Sequence, residues 1–309
     1  MNAPPLRIGI DLGGTKIEVI ALDPAGDVRV RHRIPAPQGD YEATLMAIAG
    51  LVEEVEEELG VRGAVGIGTP GAISPFTGLL RNSNSTWLNG RPLHRDLERV
   101  LGRAVHMAND ANCFALSEAT DGAAEGAEVV FGVIVGTGVG GGIVVRGYVL
   151  TGAHAIAGEW GHNPLPWPRD GERPGPECYC GRRGCIETWL SGPGMAGEFA
   201  RVTGRHLDPP AIVAAAAEGD PQAEAALQRY EDRMARALAH VINVLDPHVI
   251  VLGGGMSNID RLYDNVPARW GEYVFSDRVE TRLLPPVHGD SSGVRGAAWL
   301  AGGRPDASA

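Results

Sequence analysis

Glu159-Trp160-Gly161-His162 precedes Cys178-Tyr179-Cys180-Gly181-Arg182-Arg183-Gly184-Cys185-Ile186-Glu187, and the residue types in these two stretches suit a metal. His162, Cys178, Cys180 and Cys185 make a Cys₃His set, which matches tetrahedral Zn²⁺ with no open position. Gly181 and Gly184 let the chain turn tightly enough for the sulfurs to converge. A closed set holds the metal as a staple and not as a Lewis acid, fixing a long loop that has little secondary structure of its own. The bland alternative is chance clustering of a core histidine and free thiols. Glu159 stands three residues before His162 and Glu187 two after Cys185, so the metal would also hold both carboxylates in place. Carboxylates beside a pocket suit hydrogen bonds to sugar hydroxyls; otherwise they are surface charges.

Two glycine turns point to phosphate. In Asp11-Leu12-Gly13-Gly14-Thr15-Lys16, backbone N–H groups freed by the glycines can cradle oxygens, and Thr15 and Lys16 add a hydroxyl and a charge. It is not a Walker loop, because GxxxxGK[ST] is absent and no helix follows. A plain hairpin turn with a solvated lysine reads equally well. Gly136-Thr137-Gly138-Val139-Gly140-Gly141 matches GxGxxG, but that fingerprint requires a following helix, and IVVRGYVL reads as a strand. A second phosphate-holding hairpin fits better. Asn109-Asp110-Ala111-Asn112 ends a strand and opens a helix, so Asp110 is either an N-cap or a general base.

The elements that must position these residues repeat. Strands at 6–12, 17–22 and 28–34 read as an antiparallel meander. Leu45, Ile48, Leu51, Val52, Val55 and Leu59 recur at helical spacing and stop at Gly60. Buried strands follow at 64–68 and 104–108, and a helix near 111–119. The pattern restarts with strands at 129–135 and 142–150, then a Pro-rich irregular stretch over 151–194. Asp220-Pro221 opens a helix with Leu227, Tyr230, Met234, Leu238, Val241 and Leu245 on one face. A strand at 248–252 ends in Gly253-Gly254-Gly255, a last helix begins near 290–292, and the terminal GGRPDASA is expected to fray. Strand meander, helix, strand, helix thus occurs twice, which predicts two α/β domains meeting at a cleft.

Composition narrows the class. The 309 residues are 44% hydrophobic and 21% charged, a globular balance, and the 44 glycines show no collagen period. A formal charge of −11 argues against nucleic acid, whose phosphates reward a basic face. The N-terminus carries no run that reads as a signal peptide, and the best membrane candidate, 129–145, has six glycines in 17 residues. The expectation is a soluble cytoplasmic protein without membrane or nucleic-acid partners. Four cysteines, three of them crowded, fit a metal in a reducing compartment better than a disulfide framework.

Taken together, DLGGTK at 11–16, GEWGH at 158–162, CYCGRRGCIE at 178–187, LGGG at 252–255 and GVRGAAWL at 293–300 resemble the ROK family of bacterial sugar kinases. NSNSTWLNG (82–90), GEWGHNPLPWP (158–168), CIETWLSG (185–192) and HGDSSGVRGAAWL (288–300) look like its bacterial fructokinase, or mannofructokinase, branch. The resemblance implies two actin-like (ribonuclease H-like) ATPase domains around a central cleft, with a zinc-stapled loop in the second. The expected division is 1–118 and 119–290, with a C-terminal helix at 291–303 packing back on the first domain.

The resemblance also implies roles. Asp110 becomes the catalytic base rather than a cap, taking the proton of a hexose hydroxyl as it attacks the γ-phosphate of MgATP. Gly71, Asn84, Asn109, Glu159, His162 and Glu187 match the positions that grip the sugar, with one His162 ring nitrogen on zinc and the other toward the sugar. Gly13, Gly14, Thr15 and Lys16 match one phosphate loop, Thr137 and Gly138 the second, and Gly253, Gly254 and Gly255 the adenosine side. Asp11 is the expected carboxylate near Mg²⁺. Zinc would be structural, Mg²⁺ would arrive with ATP, and the family implies a homodimer.

The expected reaction is phosphorylation of a hexose 6-hydroxyl, fructose first and mannose second. A glucokinase or a kinase of N-acetylated hexosamines would share every catalytic residue and differ near C1 and C2, where an N-acetyl group needs an added apolar niche. Sugar-responsive repressors of the same family place a helix-turn-helix before the core; DLGGTK at residue 11 leaves no room for one, and the charge is wrong. A non-catalytic sugar-binding protein is disfavoured by Asp110 and both phosphate turns.

Overall fold

A computed structural model describes residues 6–302. Residue 303 of the expected last helix and the rest of the tail to 309 lie outside the described residues. The chain forms two compact units, Met1–Gly126 with Gly142–Ala157 and Asp290–Ala309, and Ala127–Gly141 with Gly158–Gly289.

The first unit begins with the meander β1 (Arg7–Leu12), β2 (Lys16–Leu22) and β3 (Val28–Pro35). Gly13 N–H donates to Lys16 O (3.0 Å) to close the first turn. Asp23 Oδ1 accepts from Ala25 and Asp27 N–H (2.9 and 3.1 Å) to close the second. Helix α1 (Tyr41–Leu59) is capped by Asp40 and ends at Gly60 with φ +64°; it buries Leu45, Ile48, Leu51, Val52 and Val55, the stripe read from the sequence. β4 (Ala64–Thr69) runs parallel to β1, and after the small hairpin β5 (Ala72–Ile73) and β6 (Leu80–Arg81) comes α2 (Leu93–Leu101). β7 (Val105–Asn109) runs parallel to β4, and α3 (Asp110–Thr120) follows it at once. The sheet order is β3-β2-β1-β4-β7. Ile8, Ile10, Leu12, Ile17, Val19, Val65 and Ile67 are buried within it, each contributing roughly 1.5–3 kcal/mol of transfer free energy.

A second sheet repeats the plan, in the order β10-β9-β8-β11-β12. It comprises β8 (Val129–Val135), β9 (Val139–Val145), β10 (Tyr148–Val149), and later β11 (Val249–Gly253) and β12 (Arg282–Leu284). The strand expected at 142–150 instead starts at Val139 and is broken by a turn at Arg146 and Gly147, both with positive φ. The irregular stretch ends at 186, earlier than expected, because α4 (Glu187–Leu190) and α5 (Gly192–Thr203) follow, the latter capped by Ser191 with Pro193 in its first turn. α6 (Pro209–Ala217), α7 (Pro221–Leu245) and the short α8 (Leu262–Asn265) complete the second unit. Asp220 caps α7, accepting from Gln222 and Ala223 N–H (2.9 and 3.2 Å).

Helix α9 (Ser292–Leu300) belongs to the first unit and lies on its sheet. Two glycines make that approach possible: a Cβ on Gly66 would stand 1.9 Å from Ala297 O, and one on Gly9 2.3 Å from Val294 O. No helix among the described residues is long and apolar enough to cross a membrane.

Candidate active site

In the first unit, β7 delivers Asn109 and Asp110 to the start of α3. The N-cap is Asn109, not Asp110: its Oδ1 accepts Ala111 N–H (2.8 Å), while its Nδ2 donates to Gly71 O (3.2 Å). Gly71 holds φ +80°, and a Cβ there would meet Arg81 O at 2.3 Å, so this turn accepts only glycine. Asp110 is the first helical residue and its Oδ1 also accepts Ala111 N–H (2.8 Å). The residue is exposed at the head of α3, while the protein atoms crowded around its carboxyl still strip water from it. Desolvation dominates and pushes the carboxyl above the ordinary aspartate value, against the hydrogen bonds from Ala111 and Asn109.

Asp11, near the end of β1, is pushed up to about 6 by burial first, then by Asp110 and Glu18, with Lys16 and Arg33 pulling the other way. The turn Gly13-Gly14-Thr15 leads directly into Lys16, and Thr15 is exposed. The Cβ position of Gly14 lies 3.2 Å from Ser85 Oγ, which brings the Asn84 segment beside this turn. Asn84 itself is exposed, between Ser83 and Ser85, whose loop is fastened by Asn89 through Ser83 N–H (2.9 Å) and Ser83 O (2.8 Å). Cys113, the lone fourth cysteine, is buried on α3, and burial together with Asp11 and Asp110 pushes its thiol up.

In the second unit, the other glycine turns come together. Gly136 N–H donates to Gly138 O (2.9 Å), and Gly136 O accepts Gly192 N–H (2.8 Å). The Cβ position of Gly136 lies 3.9 Å from Gly255 N, so the Thr137–Gly138 turn borders Gly253–Gly255. Gly254 has φ +80°, and a Cβ on it would stand 2.4 Å from Val135 O. Thr137 lines a cavity of about 610 Å³ with Glu187, Thr188, Ser191 and Gly194. Glu187 Oε2 accepts Val139 N–H (2.9 Å), and Glu187 N–H donates to Gly161 O (2.9 Å). The segment carrying exposed Glu159 is fixed by Trp160, whose Nε1 donates to Gly140 O (3.0 Å) and whose ring meets Phe131 edge-on.

The four metal-type ligands converge. His162 Nδ1 and the sulfurs of Cys178, Cys180 and Cys185 lie within 4.8 Å of one another. His162 Nδ1 is 3.5 Å from Cys178 Sγ, and Cys180 Sγ is 3.6 Å from Cys185 Sγ. Ligands of a tetrahedral zinc at ~2.3 Å (sulfur) and ~2.0 Å (nitrogen) are separated by about 3.5–3.8 Å, so this donor set fits the ion. His162 Nε2 is engaged by the Tyr179 hydroxyl (2.9 Å), a partner the spacing alone did not reveal.

A profile of the ROK family matches residues 7–304. An N-acetyl-D-glucosamine kinase of Photobacterium profundum is 40% identical over 296 residues, covering 94% of this chain and 98% of that protein. One from Vibrio cholerae is 41% identical over the same length and coverage. Among solved structures, the ROK hexokinase of Thermus thermophilus superposes with TM-score 0.85 at 33% identity, over 96% of this chain and 97% of that one. A ROK family glucokinase from Streptomyces griseus, solved with glucose and AMPPNP, gives 0.74 at 28% identity, over 96% and 98%.

Proposed function

Because the chain belongs to the ROK family, we propose that it is an ATP-dependent sugar kinase whose preferred acceptor is the 6-hydroxyl of N-acetyl-D-glucosamine. The observation that carries this reading is the likeness to N-acetyl-D-glucosamine kinases along almost the whole chain. It corrects the order of preference drawn from the sequence: these relatives favour the N-acetylhexosamine alternative over fructose. Glucose is the second reading, on the likeness to the S. griseus glucokinase.

In this mechanism Asp110 takes the proton of the sugar hydroxyl. The freed oxygen forms a bond to the γ-phosphorus, and the bond from that phosphorus to the β–γ bridging oxygen breaks to release ADP. A raised proton affinity makes Asp110 a stronger base than an unperturbed aspartate. Gly71, Asn84, Asn109, Glu159 and Glu187 hold the sugar; His162, expected to join them, has Nδ1 in the metal-type set and Nε2 on the Tyr179 hydroxyl, so it reaches the sugar only if Tyr179 gives way. The backbone turns at Gly13–Lys16 and Thr137–Gly138 take the phosphates, Gly253–Gly255 the adenosine side, and Asp11 the Mg²⁺ that accompanies ATP. Phosphoryl transfer needs chiefly alignment and charge neutralisation, which these groups supply. Zn²⁺ would be held by His162, Cys178, Cys180 and Cys185, and it supplies order to the loop rather than chemistry to the reaction.

The test is a coupled ADP-release assay with MgATP across N-acetylglucosamine, N-acetylmannosamine, glucose, fructose and mannose. The highest kcat/KM with N-acetylglucosamine is expected. A lead for fructose would restore the order read from the sequence, and no turnover with any sugar would remove the kinase reading.

A further inference from the structure

Tyr179 occupies the ring nitrogen of His162 that the metal-type set leaves over. Its hydroxyl lies 2.9 Å from His162 Nε2, and the two rings meet edge-on, with centroids 5.0 Å apart at 89°. His162 Nδ1 faces Cys178 Sγ within the metal-type set. A neutral histidine that gives Nδ1 to a metal keeps its proton on Nε2, so Nε2 donates and the Tyr179 oxygen accepts. A sugar hydroxyl in the same place would accept the same N–H. A side chain of the protein thus stands where the sugar-kinase reading puts the substrate. Little holds it there. Tyr179 is 84% exposed, although it sits between the metal-type ligands Cys178 and Cys180. The backbone around it is pinned, with Cys178 N–H donating to Arg182 O (2.8 Å) and Gly181 N–H to Cys178 O (2.9 Å). Rotation of the side chain alone therefore uncovers Nε2, at the cost of one hydrogen bond and one ring contact. Tyr179 also lines the same cavity as Glu187 and Thr137, to which sugar and ATP roles are given above.

We propose that Tyr179 is a displaceable plug on the sugar site: its hydroxyl holds the His162 Nε2–H until a sugar hydroxyl takes its place and the ring swings out to solvent. The inference rests on the sugar-kinase reading, in which His162 contacts the sugar. A competitor of this kind lowers apparent sugar affinity in proportion to the fraction of molecules in which Nε2 is uncovered. One such hydrogen bond, made in place of a bond to water, favours the plugged state roughly two- to tenfold. The plug acts on sugar binding alone, with no part in proton or phosphoryl transfer.

Tyr179→Phe tests this on the zinc-loaded full chain, because it keeps the ring and removes the hydroxyl. Calorimetric titration with N-acetylglucosamine is expected to give a Kd roughly two- to tenfold lower in the variant than in the wild type, at equal zinc content, with the Kd for AMPPNP within about twofold. A structural role for the hydroxyl would move sugar affinity the other way. Weaker sugar binding by Tyr179→Phe would make Tyr179 a sugar contact in its own right, and unchanged affinity would mean that the hydroxyl does not compete with sugar. Either result, or a parallel gain for AMPPNP, overturns the plug and leaves the kinase reading standing. A wild type that binds glucose or fructose but not N-acetylglucosamine overturns the substrate choice alone, and the same comparison with that sugar then decides the plug. A wild type that binds none of the three overturns the kinase reading and the plug together.

Discussion

Glu187 and Val139 are joined by a hydrogen bond from the Val139 backbone N–H to Glu187 Oε2 at 2.9 Å. The same carboxylate oxygen would lie 2.8 Å from a Cβ on Gly138, so glycine is what lets the phosphate-type turn sit this close. Glu187 stands two residues after the metal-type ligand Cys185, and its own N–H is tied to Gly161, next to His162. One residue therefore couples the Cys₃His segment to the Thr137–Gly138 turn. This changes what its loss should do.

Glu187→Gln is expected to raise the KM of both sugar and ATP, because the amide is a weaker acceptor for Val139 N–H and the turn loses its brace. Glu159→Gln leaves the tie from Trp160 to Gly140 in place, so it should raise sugar KM about tenfold and leave ATP KM within about twofold, the cost of one charged hydrogen bond. Steady-state kinetics with each substrate varied separates the two. Equal effects of Glu159→Gln on both constants would contradict its place on the sugar.

Asp110→Asn should lower kcat by roughly 10²–10⁴-fold, the usual worth of a positioned base, while calorimetry still detects sugar binding. Asparagine keeps an oxygen for Ala111 N–H, so the helix start is preserved. A near-normal kcat would exclude Asp110 as base. In the wild type the base must be ionised, and desolvation raises its proton affinity, so as pH is lowered kcat/KM should begin to fall at higher pH than an unperturbed aspartate would dictate. Asp11, pushed up to about 6, adds to the same acid limb.

Much of this was legible in the sequence, for reasons that particular residues make plain. The stripe on α1 and the Asp220-Pro221 start of α7 were readable because amphipathic period and cap chemistry act locally. The Cys₃His set was readable because its members lie close along the chain. Helices α2, α5 and α6 were not: α2 spans nine residues, α5 starts with Gly-Pro-Gly, and α6 reads PPAIVAAAA, with no polar face to set a period. The choice between Asn109 and Asp110 as cap needed the backbone, since either residue type caps equally well. The ties from Glu187 to Val139 and from His162 to Tyr179 join side chains to partners that spacing does not specify.

Cys180 is the exposed member of the metal-type set, so Cys180→Ala removes one ligand without opening a core cavity. Loss of bound zinc by elemental analysis and a rise in sugar KM exceeding that in ATP KM are expected. A thiol reagent gives an independent check. Metal-loaded protein should be nearly inert, since Cys113 is buried, and chelation should expose the thiols of Cys178, Cys180 and Cys185. Unchanged metal content in the variant would dismiss the cluster as a zinc site.

The loop that carries the metal-type ligands has a second anchor, in Glu172. Arg233 Nε donates to its Oε1 (2.7 Å), Arg236 Nη2 to Oε1 (2.9 Å) and Nη1 to Oε2 (3.0 Å), and Arg169 N–H to Oε2 (2.8 Å). Burial opposes ionisation, but these bonds outweigh it and hold the carboxyl down at about 2. The folded state thus binds this proton more weakly than the unfolded chain, so the contribution is complete above the ordinary glutamate value of 4.5 and is lost as pH falls toward about 2. At neutral pH it amounts to about 3 kcal/mol. Glu172→Gln should cost about 3–5 kcal/mol at pH 7, because Arg233 and Arg236 are left buried with fewer partners. Urea unfolding of wild type and variant at stepped pH should show the gap between them narrowing below pH 4.5. A gap that stays constant down to about pH 2.5 would mean that the Glu172 charge contributes nothing, leaving only the shape of its side chain to anchor the loop.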